Sequence, residues 1–135
     1  MSIKPVFATE TTLLDSGLNS LGATSAASSS EQDNSSNRYI DGRLDIECAG
    51  GSATTGFATI YLCEGSATGK TSDTATVGNM RRIGDIFMNS TTAVRKSFLV
   101  SNLPKFWFVR IINNSVAWAG SGNTVKFTGI NYEDV

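Results

Sequence analysis

Short segments in which apolar and polar residues alternate recur about every ten residues along most of this chain, a spacing typical of antiparallel β-structure. The clearest segment covers residues 40–48, where Ile40, Leu44, Ile46 and Cys48 fall on one side. A period of two places successive side chains on opposite faces of a strand, so one face of this segment is expected to be buried. No window keeps helical spacing together with capping residues. The pattern therefore predicts an all-β fold.

A second alternating segment follows at residues 57–63. It places Ala58, Ile60 and Leu62 on one face, which we expect to be buried. The stretch that separates it from residues 40–48 is rich in Gly, Ser and Thr, as turns are. This arrangement predicts a hairpin between the two segments.

The remaining segments extend the same pattern. Residues 80–88 alternate less regularly, which indicates a strand with a bulge at Gly84 and Asp85. Three more strands are predicted at residues 91–101, at residues 102–114, which are apolar on both faces and so central, and at residues 124–132. Roughly seven to nine strands without helical crossovers predict an antiparallel two-sheet β-sandwich, jelly-roll-like in topology.

Two stretches stand apart from the strand pattern. Residues 1–12 carry the apolar pair Val6 and Phe7 and predict an extended N-terminal arm in front of a single domain at residues 13–135. Residues 22–38 are Ser-rich and contain no large apolar side chain, so they predict a polar loop or linker. Because a loop of that length is uncommon in a compact domain, part of it is expected to form an edge strand or to order against a partner.

The composition argues against several classes of function but does not identify the function of the chain. There is no histidine, which removes the usual general base and the commonest zinc ligand, so we expect neither an enzyme nor a bound metal or other cofactor. A net charge of −1 indicates no excess of basic residues that would bind nucleic acid or an anionic membrane surface. Charged residues are only 17%, and hydroxyl side chains cover much of the surface instead. Cys48 and Cys63 are expected to remain thiols.

Four motifs have both a functional and a structural interpretation. The run EGSATGKT, from Glu64 to Thr71, approaches a phosphate-binding loop, but its first glycine comes one residue late, which favours a flexible turn. Asp41, Asp45 and Glu47 share one strand face and could form an acid/base pair, a hard-cation site or a solvated face.

Arg110 and the aromatic residues complete the set of candidates. Arg110 lies within a dense apolar run and would need a structural ion pair if it faced the core. Trp107, Trp118, Tyr39 and Tyr61 could form a sugar-stacking platform or an interface. The apolar surroundings of Trp107 favour the core, whereas Trp118, near a strand end, fits a core edge or an interface equally.

Three stretches carry a family resemblance: LDSGLNSLG, then DNSSNRYIDGRLDIE with FATIYLCEG, and finally LPKFWFVRIINNSVAWAGSGNTVKFTGINYE. Together they resemble the small jelly-roll-like cement or decoration proteins on the capsids of tailed bacteriophages, especially short-tailed phages. The resemblance covers roughly residues 13–132 and includes no catalytic signature.

The resemblance implies a structural virion protein on the outer capsid surface, assembled in the bacterial cytoplasm. Its partners would be the major capsid protein and further copies of itself, as a homodimer or homotrimer. We expect the arm to add to a neighbour's sheet edge, with partner contacts at Val6, Phe7, Leu13 and Trp118. Two alternatives remain open: another phage component such as a tail or head fibre, and a carbohydrate-binding β-sandwich.

Overall fold

A computed structural model describes residues 2–49, 56–69, 71, 77–88 and 92–134, and these residues form two facing β-sheets. The strands are β1 (Ile3–Phe7), β2 (Thr11–Leu14), β3 (Ala26–Ser28), β4 (Gln32–Asp33), β5 (Asp41–Cys48), β6 (Phe57–Gly65), β7 (Arg81–Phe87), β8 (Val94–Val100), β9 (Phe106–Asn113) and β10 (Thr124–Asp134). Single 3-10 turns occur at Ser16–Leu18 and Val77–Asn79. Within the described residues, no helix has the length and apolar character needed to cross a bilayer.

The topology confirms the predicted antiparallel sandwich with a jelly-roll-like arrangement. Sheet A has the order β1, β10, β5, β8, and β2 pairs with β10 beside β1. Sheet B has the order β3, β9, β6, β7, and β4 pairs with β9 beside β3. Every pairing between described strands is antiparallel. The strand predicted to be central, β9, is flanked on both sides.

The predicted hairpin between residues 40–48 and 57–63 is wrong. Strand β5 pairs with β10 and β8 in sheet A, whereas β6 pairs with β7 and β9 in sheet B. The apolar faces of both strands are buried as predicted, with Leu44, Ile46, Ile60 and Leu62 at most 1% exposed. The prediction is wrong for Ile40, which precedes β5 and is 51% exposed. The two faces meet across the core instead of lying side by side, because each needs an apolar surface opposite it. Residues 50–55 of the predicted turn lie outside the described residues.

The predicted bulge is present one residue earlier than expected. Ile60 pairs with Gly84 and Tyr61 with Arg82, so Ile83 is the extra residue in β7. A side chain at Gly84 would collide with the ring of Phe98, which would lie 2.5 Å from an added Cβ. The bulge and the glycine together let β7 approach β8 of the opposite sheet.

The N-terminal residues are part of the sandwich rather than an extension from it. Ile3–Phe7 pairs with β10 of the same chain, from Ile3 opposite Asp134 to Phe7 opposite Ile130. Two short pieces of the polar stretch at residues 22–38, β3 and β4, pair with β9. The expectation that part of this stretch forms an edge strand is therefore confirmed.

Three buried asparagines connect the loops to the strands. Asn113, which is fully buried, donates from Nδ2 to the carbonyl oxygens of Leu21, Gly22 and Val116 at 2.9, 2.9 and 2.6 Å. Asn123, at the start of β10, accepts from the Ala49 N–H and donates to the Ala119 carbonyl oxygen. Asn34, before β5, accepts from the Tyr39 N–H and donates to the Tyr39 carbonyl oxygen. Each amide supplies both donors and an acceptor, which suits it to backbone groups that no strand partner satisfies.

The two cysteines lie on different sheets, and no disulfide joins them. Cys48 belongs to the core cluster, whereas Cys63 follows Leu62 on the opposite face of β6, and both are 0% exposed. Burial raises the pKa of the Cys63 thiol to about 11, although the charge of Arg110 partly opposes this shift.

We expect both thiols to resist modification in the folded protein at neutral pH. The nucleophile is the thiolate, and burial disfavours that form at Cys63 until the pH approaches its raised pKa. A thiol-reactive dye should therefore label neither cysteine in buffer and both in denaturant. Rapid stoichiometric labelling of the folded chain would contradict the burial of these residues.

Candidate interaction surfaces

An apolar patch lies on the outer face of sheet A, at its β1 edge. We call it the β1 patch and define it as Ile3, Pro5, Phe7 and Tyr132. Directly opposed residues on paired strands share a face, and Pro5 pairs with Tyr132. Ile3, Phe7 and Tyr132 are 64, 61 and 43% exposed. Exposed apolar side chains grouped in this way mark surfaces that bind other molecules.

A polar group beside the β1 patch holds one of its side chains, Tyr132, in place. The Tyr132 hydroxyl donates to Asp41 Oδ2 at 2.6 Å, and this hydrogen bond raises the pKa of the phenol. Ile130 lies opposite Phe7 on the same face and is only 4% exposed. The patch is therefore a packed layer on the sheet rather than a set of loose side chains.

The open edge of β1 is poorly suited to accept another strand. Ala8 donates its backbone N–H to Gly129 at 2.9 Å, so the even-numbered residues of this segment face β10. Pro5 therefore directs its nitrogen, which carries no hydrogen, toward the open edge. A missing donor in the middle of an edge opposes strand addition, so the face of β1 is the better contact surface.

A charged groove of about 350 Å³ lies on the same outer face, away from the patch. Four of its charged side chains form two ion pairs, Glu47 with Arg95 at 2.8 Å and Glu10 with Lys126 at 3.6 Å. Ion pairs this exposed contribute at most about 1 kcal/mol each. Within the described residues, no group of three or more acidic or Cys side chains is arranged to hold a metal ion.

A second, smaller cleft opens along the seam between the two sheets. We call it the seam cleft; its volume is about 110 Å³. Its floor is aromatic, with Trp107 and Phe127 in an edge-to-face arrangement at 4.7 Å and Tyr39 beside Phe127 at 6.2 Å. Its rim is polar and consists of Thr9, Thr11, Gln32, Asp33, Asn34 and Asn37.

The structure places the four predicted partner residues in different environments. Phe7 is exposed within the β1 patch, whereas Val6 is half-buried on the opposite face of the strand. Leu13 packs against the core. Trp118 is 3% exposed within the core cluster, which supports the core-edge interpretation of this residue. Of these four residues, Phe7 alone therefore presents an exposed apolar side chain.

Sequence reasoning did not identify three members of the β1 patch, Ile3, Pro5 and Tyr132. Tyr132 is far from the other two in the chain and becomes their neighbour only because β1 pairs with the end of β10. A local signal existed for Ile3, since Ile3, Pro5 and Phe7 alternate with Lys4 and Val6.

The other sequence motifs have structural roles. The Gly69 N–H and the Thr71 hydroxyl both donate to the carboxylate of Glu31, so an acidic side chain occupies the position that a phosphate would need. Lys70 lies outside the described residues. Arg110 faces away from the core and donates to the Ser28 hydroxyl at 3.0 Å, so the condition for a buried ion pair is not met.

The predicted acidic and aromatic sites are not assembled. Asp41 accepts from Tyr132 and from the Asn102 N–H, while Glu47 pairs with Arg95. These carboxylates have separate partners along the strand, as on a solvated face. The predicted sugar-stacking platform needs exposed rings, but Trp107 and Trp118 are both buried. Trp107 is thus a core residue, as its surroundings predicted.

Comparison with known proteins extends only to the fold. No protein-family profile matches the chain, and no curated protein matches its sequence. The exported protein XepA of PBSX is similar in structure at 14% identity and a TM-score of 0.51, covering 94% of this chain and 38% of XepA. The chain thus spans well under half the length of that protein.

Two further structures cover the whole chain. The family 35 carbohydrate-binding module of Cellvibrio japonicus Abf62 matches at 10% identity and a TM-score of 0.51, over 96% of both chains. The SPBc2 prophage-derived protein YomS matches at 16% identity and a TM-score of 0.46, over 95% of this chain and 96% of its own. Similarity at these identities concerns the fold alone, and by its own strand pairing the chain is an antiparallel jelly-roll-like β-sandwich.

Proposed function

We propose that this chain is a structural protein of a phage particle, which decorates the outer surface of the capsid and bridges neighbouring major capsid proteins. The observation that carries the proposal is the β1 patch, an apolar surface on the rigid face of a sheet. It would contact the shell, while further contacts between copies of the chain would link the bound subunits. No enzymatic activity and no cofactor belong to this proposal.

The character of the surface supports such a role. A low charge content and many hydroxyl side chains leave neutral groups that can hydrogen-bond to neighbouring proteins. Each contact can be weak, because a shell presents many identical sites and linked copies bind with multiplied affinity. Part of XepA, the PBSX exported protein, is similar in structure to this chain, which favours the related setting of a phage particle for the chain.

The experiment that tests the proposal is co-sedimentation of the purified chain with undecorated phage capsids. The ratio of bound chain to major capsid protein is read from a gel. Saturation at a fixed ratio that capsid symmetry allows is the expected result. An absence of binding at a high concentration of the chain would overturn the capsid role. Binding only to isolated tails or fibres would show that the chain is a component of those structures instead.

The substitution Phe7→Asp should weaken capsid binding about tenfold or more. It places a charge at the centre of the β1 patch, where a buried aromatic anchor supplies much of the binding energy. Because Phe7 is 61% exposed, the folded state should tolerate the change. The measurement is the chain concentration needed for half-saturation of the capsids, with thermal unfolding as a check on the fold.

Phe87→Asp provides a matched control. Phe87 has the same side chain at 64% exposure but lies on sheet B, in ring contact with Phe57. It should bind like the unaltered chain. Equal losses in both variants, or a loss only in Phe87→Asp, would show that the β1 patch is not the contact surface.

A further inference from the structure

The seam cleft has the construction of a ligand site and is separate from the β1 patch. It lies where β2 and β4, the edge strands of the two sheets, leave the core seam uncovered. Thr11 comes from β2 and Gln32 and Asp33 from β4, so both sheets contribute to one rim.

The size of the cleft limits what can enter it. A cavity of about 150 Å³ encloses one benzene ring, so a space of about 110 Å³ does not hold a complete sugar ring. A small branch of a ligand fits, such as an acetyl group. Its methyl carbon would meet the half-buried ring of Tyr39 and the small exposed parts of Trp107 and Phe127, which are 2 and 6% exposed.

The chemistry of the rim further restricts the ligand. Among the described residues that line the cleft are hydroxyls, amides and one carboxylate but neither Lys nor Arg, which disfavours phosphates and other anions. Hydrogen bonds from Ser35, first from its side chain and then from its backbone, lower the pKa of Asp33 and keep it ionised. The charge of Lys105 also acts on Asp33, so a cationic ligand would compete with a cation already nearby. A neutral ligand with several hydroxyls and an amide N–H matches these groups best.

The rim is held in place before any ligand binds. The Asn34 side chain accepts from the Tyr39 N–H at 2.8 Å and donates to the Tyr39 carbonyl at 2.9 Å. Arg38 between them has a left-handed backbone with φ of 52°, a conformation that costs energy in a residue with a side chain. A preorganised rim loses little conformational entropy when it binds a ligand.

We propose that the seam cleft binds an N-acetylated amino sugar. The acetamido methyl group packs on the aromatic floor, and the amide N–H donates to the Asp33 carboxylate. The ring hydroxyls bind the rim at Gln32, Asn37 and the two threonines. This site needs no contact with a capsid and is independent of the β1 patch.

The test is an NMR titration of the full chain with N-acetylglucosamine and, in parallel, with glucose, which lacks the acetamido group. Saturable shifts are expected for the backbone amides of Thr9, Thr11, Gln32 and Asn37 and for the Trp107 indole. Glucose should bind about tenfold or more weakly, because it leaves the floor and the Asp33 acceptor unused. A third titration, with N-acetylgalactosamine, shows whether the orientation of one ring hydroxyl changes the affinity.

Asp33→Asn isolates the carboxylate with a minimal change of shape. Its amide oxygen can still accept from the Ser35 N–H, a bond of 2.8 Å in the unaltered chain, so the turn should persist. Affinity for N-acetylglucosamine should fall about tenfold, since a charge-assisted hydrogen bond becomes a neutral one. Asp45→Asn makes the same change in the charged groove on sheet A and should leave sugar binding unaltered.

Three results would overturn the assignment. They are an absence of saturable shifts with either acetamido sugar, equal affinity for glucose, and shifts that map to Phe57 and Phe87 instead of the cleft. Capsid co-sedimentation is measured separately with the Phe7 variants. Failure of the capsid role and failure of the sugar site can therefore be told apart.

Discussion

The Asn113→Ala variant is expected to unfold about 10 °C below the unaltered chain, with a loss of about 3 kcal/mol in the free energy of unfolding. Asn113 is fully buried, and its Nδ2 donates to three carbonyl oxygens, those of Leu21, Gly22 and Val116. Truncation leaves these buried acceptors without that donor and opens a gap at the end of β9. Thermal and denaturant unfolding followed by circular dichroism measure the effect.

Asn114→Ala is the control for this prediction. Asn114 is the next residue and makes one side-chain hydrogen bond, to the Thr59 hydroxyl at 2.8 Å. Its loss should cost about 1 kcal/mol. Similar losses for both variants would show that Asn113 does not join the loops in the way the hydrogen bonds indicate.

Asn113→Asp should be more damaging at neutral pH than Asn113→Ala. A carboxylate would face three carbonyl oxygens, and only its protonated form could donate to one of them. The folded state would thus hold the proton more tightly than the unfolded chain, so the stability of the variant should rise as the pH falls. A pH series of melting temperatures for the variant and the unaltered chain would reveal this difference.

Gly129→Ala should also be strongly destabilising, at about 2–3 kcal/mol. An added Cβ would lie 2.4 Å from Cδ2 of Tyr39 and 2.5 Å from its Cε2 and Cγ. The ring cannot withdraw easily, because Asn34 binds both backbone groups of Tyr39. The expected melting temperature is about 6–10 °C lower than that of the unaltered chain.

Gly78→Ala tests whether the loss of stability in Gly129→Ala comes from the collision of the added Cβ with the ring of Tyr39. Among the described residues beyond its chain neighbours, no atom lies within 4 Å of a Cβ added at Gly78, so this variant should match the unaltered chain or exceed its stability slightly. A neutral Gly129→Ala would mean that Tyr39 is not packed flat against the strand. The seam cleft would then lack a fixed wall.

Alternation in the sequence was sufficient to predict the strands of the core. Strands β5 and β10 each have one face buried as their period of two indicates, because a strand with one apolar face has only one way to bury it. Strand β9 was predicted to be central because both of its faces are apolar, and it is flanked on both sides. The wrong hairpin shows the limit of this reasoning. A period of two tells which residues are buried and not which sheet they enter, since both choices bury the same face.

The candidate surfaces were predicted only in part. Phe7 stood out because an apolar residue in a polar segment lacks a core to join. The sequence did not single out Tyr132 and Ile3, because only the pairing of the first and last strands brings them together. Trp118 could be placed only by the structure, because a tryptophan near a strand end carries no local sign of what covers it.

The sequence by itself therefore determined the fold class, the buried faces of the regularly alternating strands and the exclusion of histidine chemistry, because these depend on residue type and local period. The tertiary structure alone decided the partition of strands between sheets, the assembly of the β1 patch and the existence of the seam cleft. Each of these depends on contacts between residues distant in the chain, such as Pro5 with Tyr132 and Trp107 with Phe127. Such contacts are selected by the packing of the whole core and have no signature in any one segment.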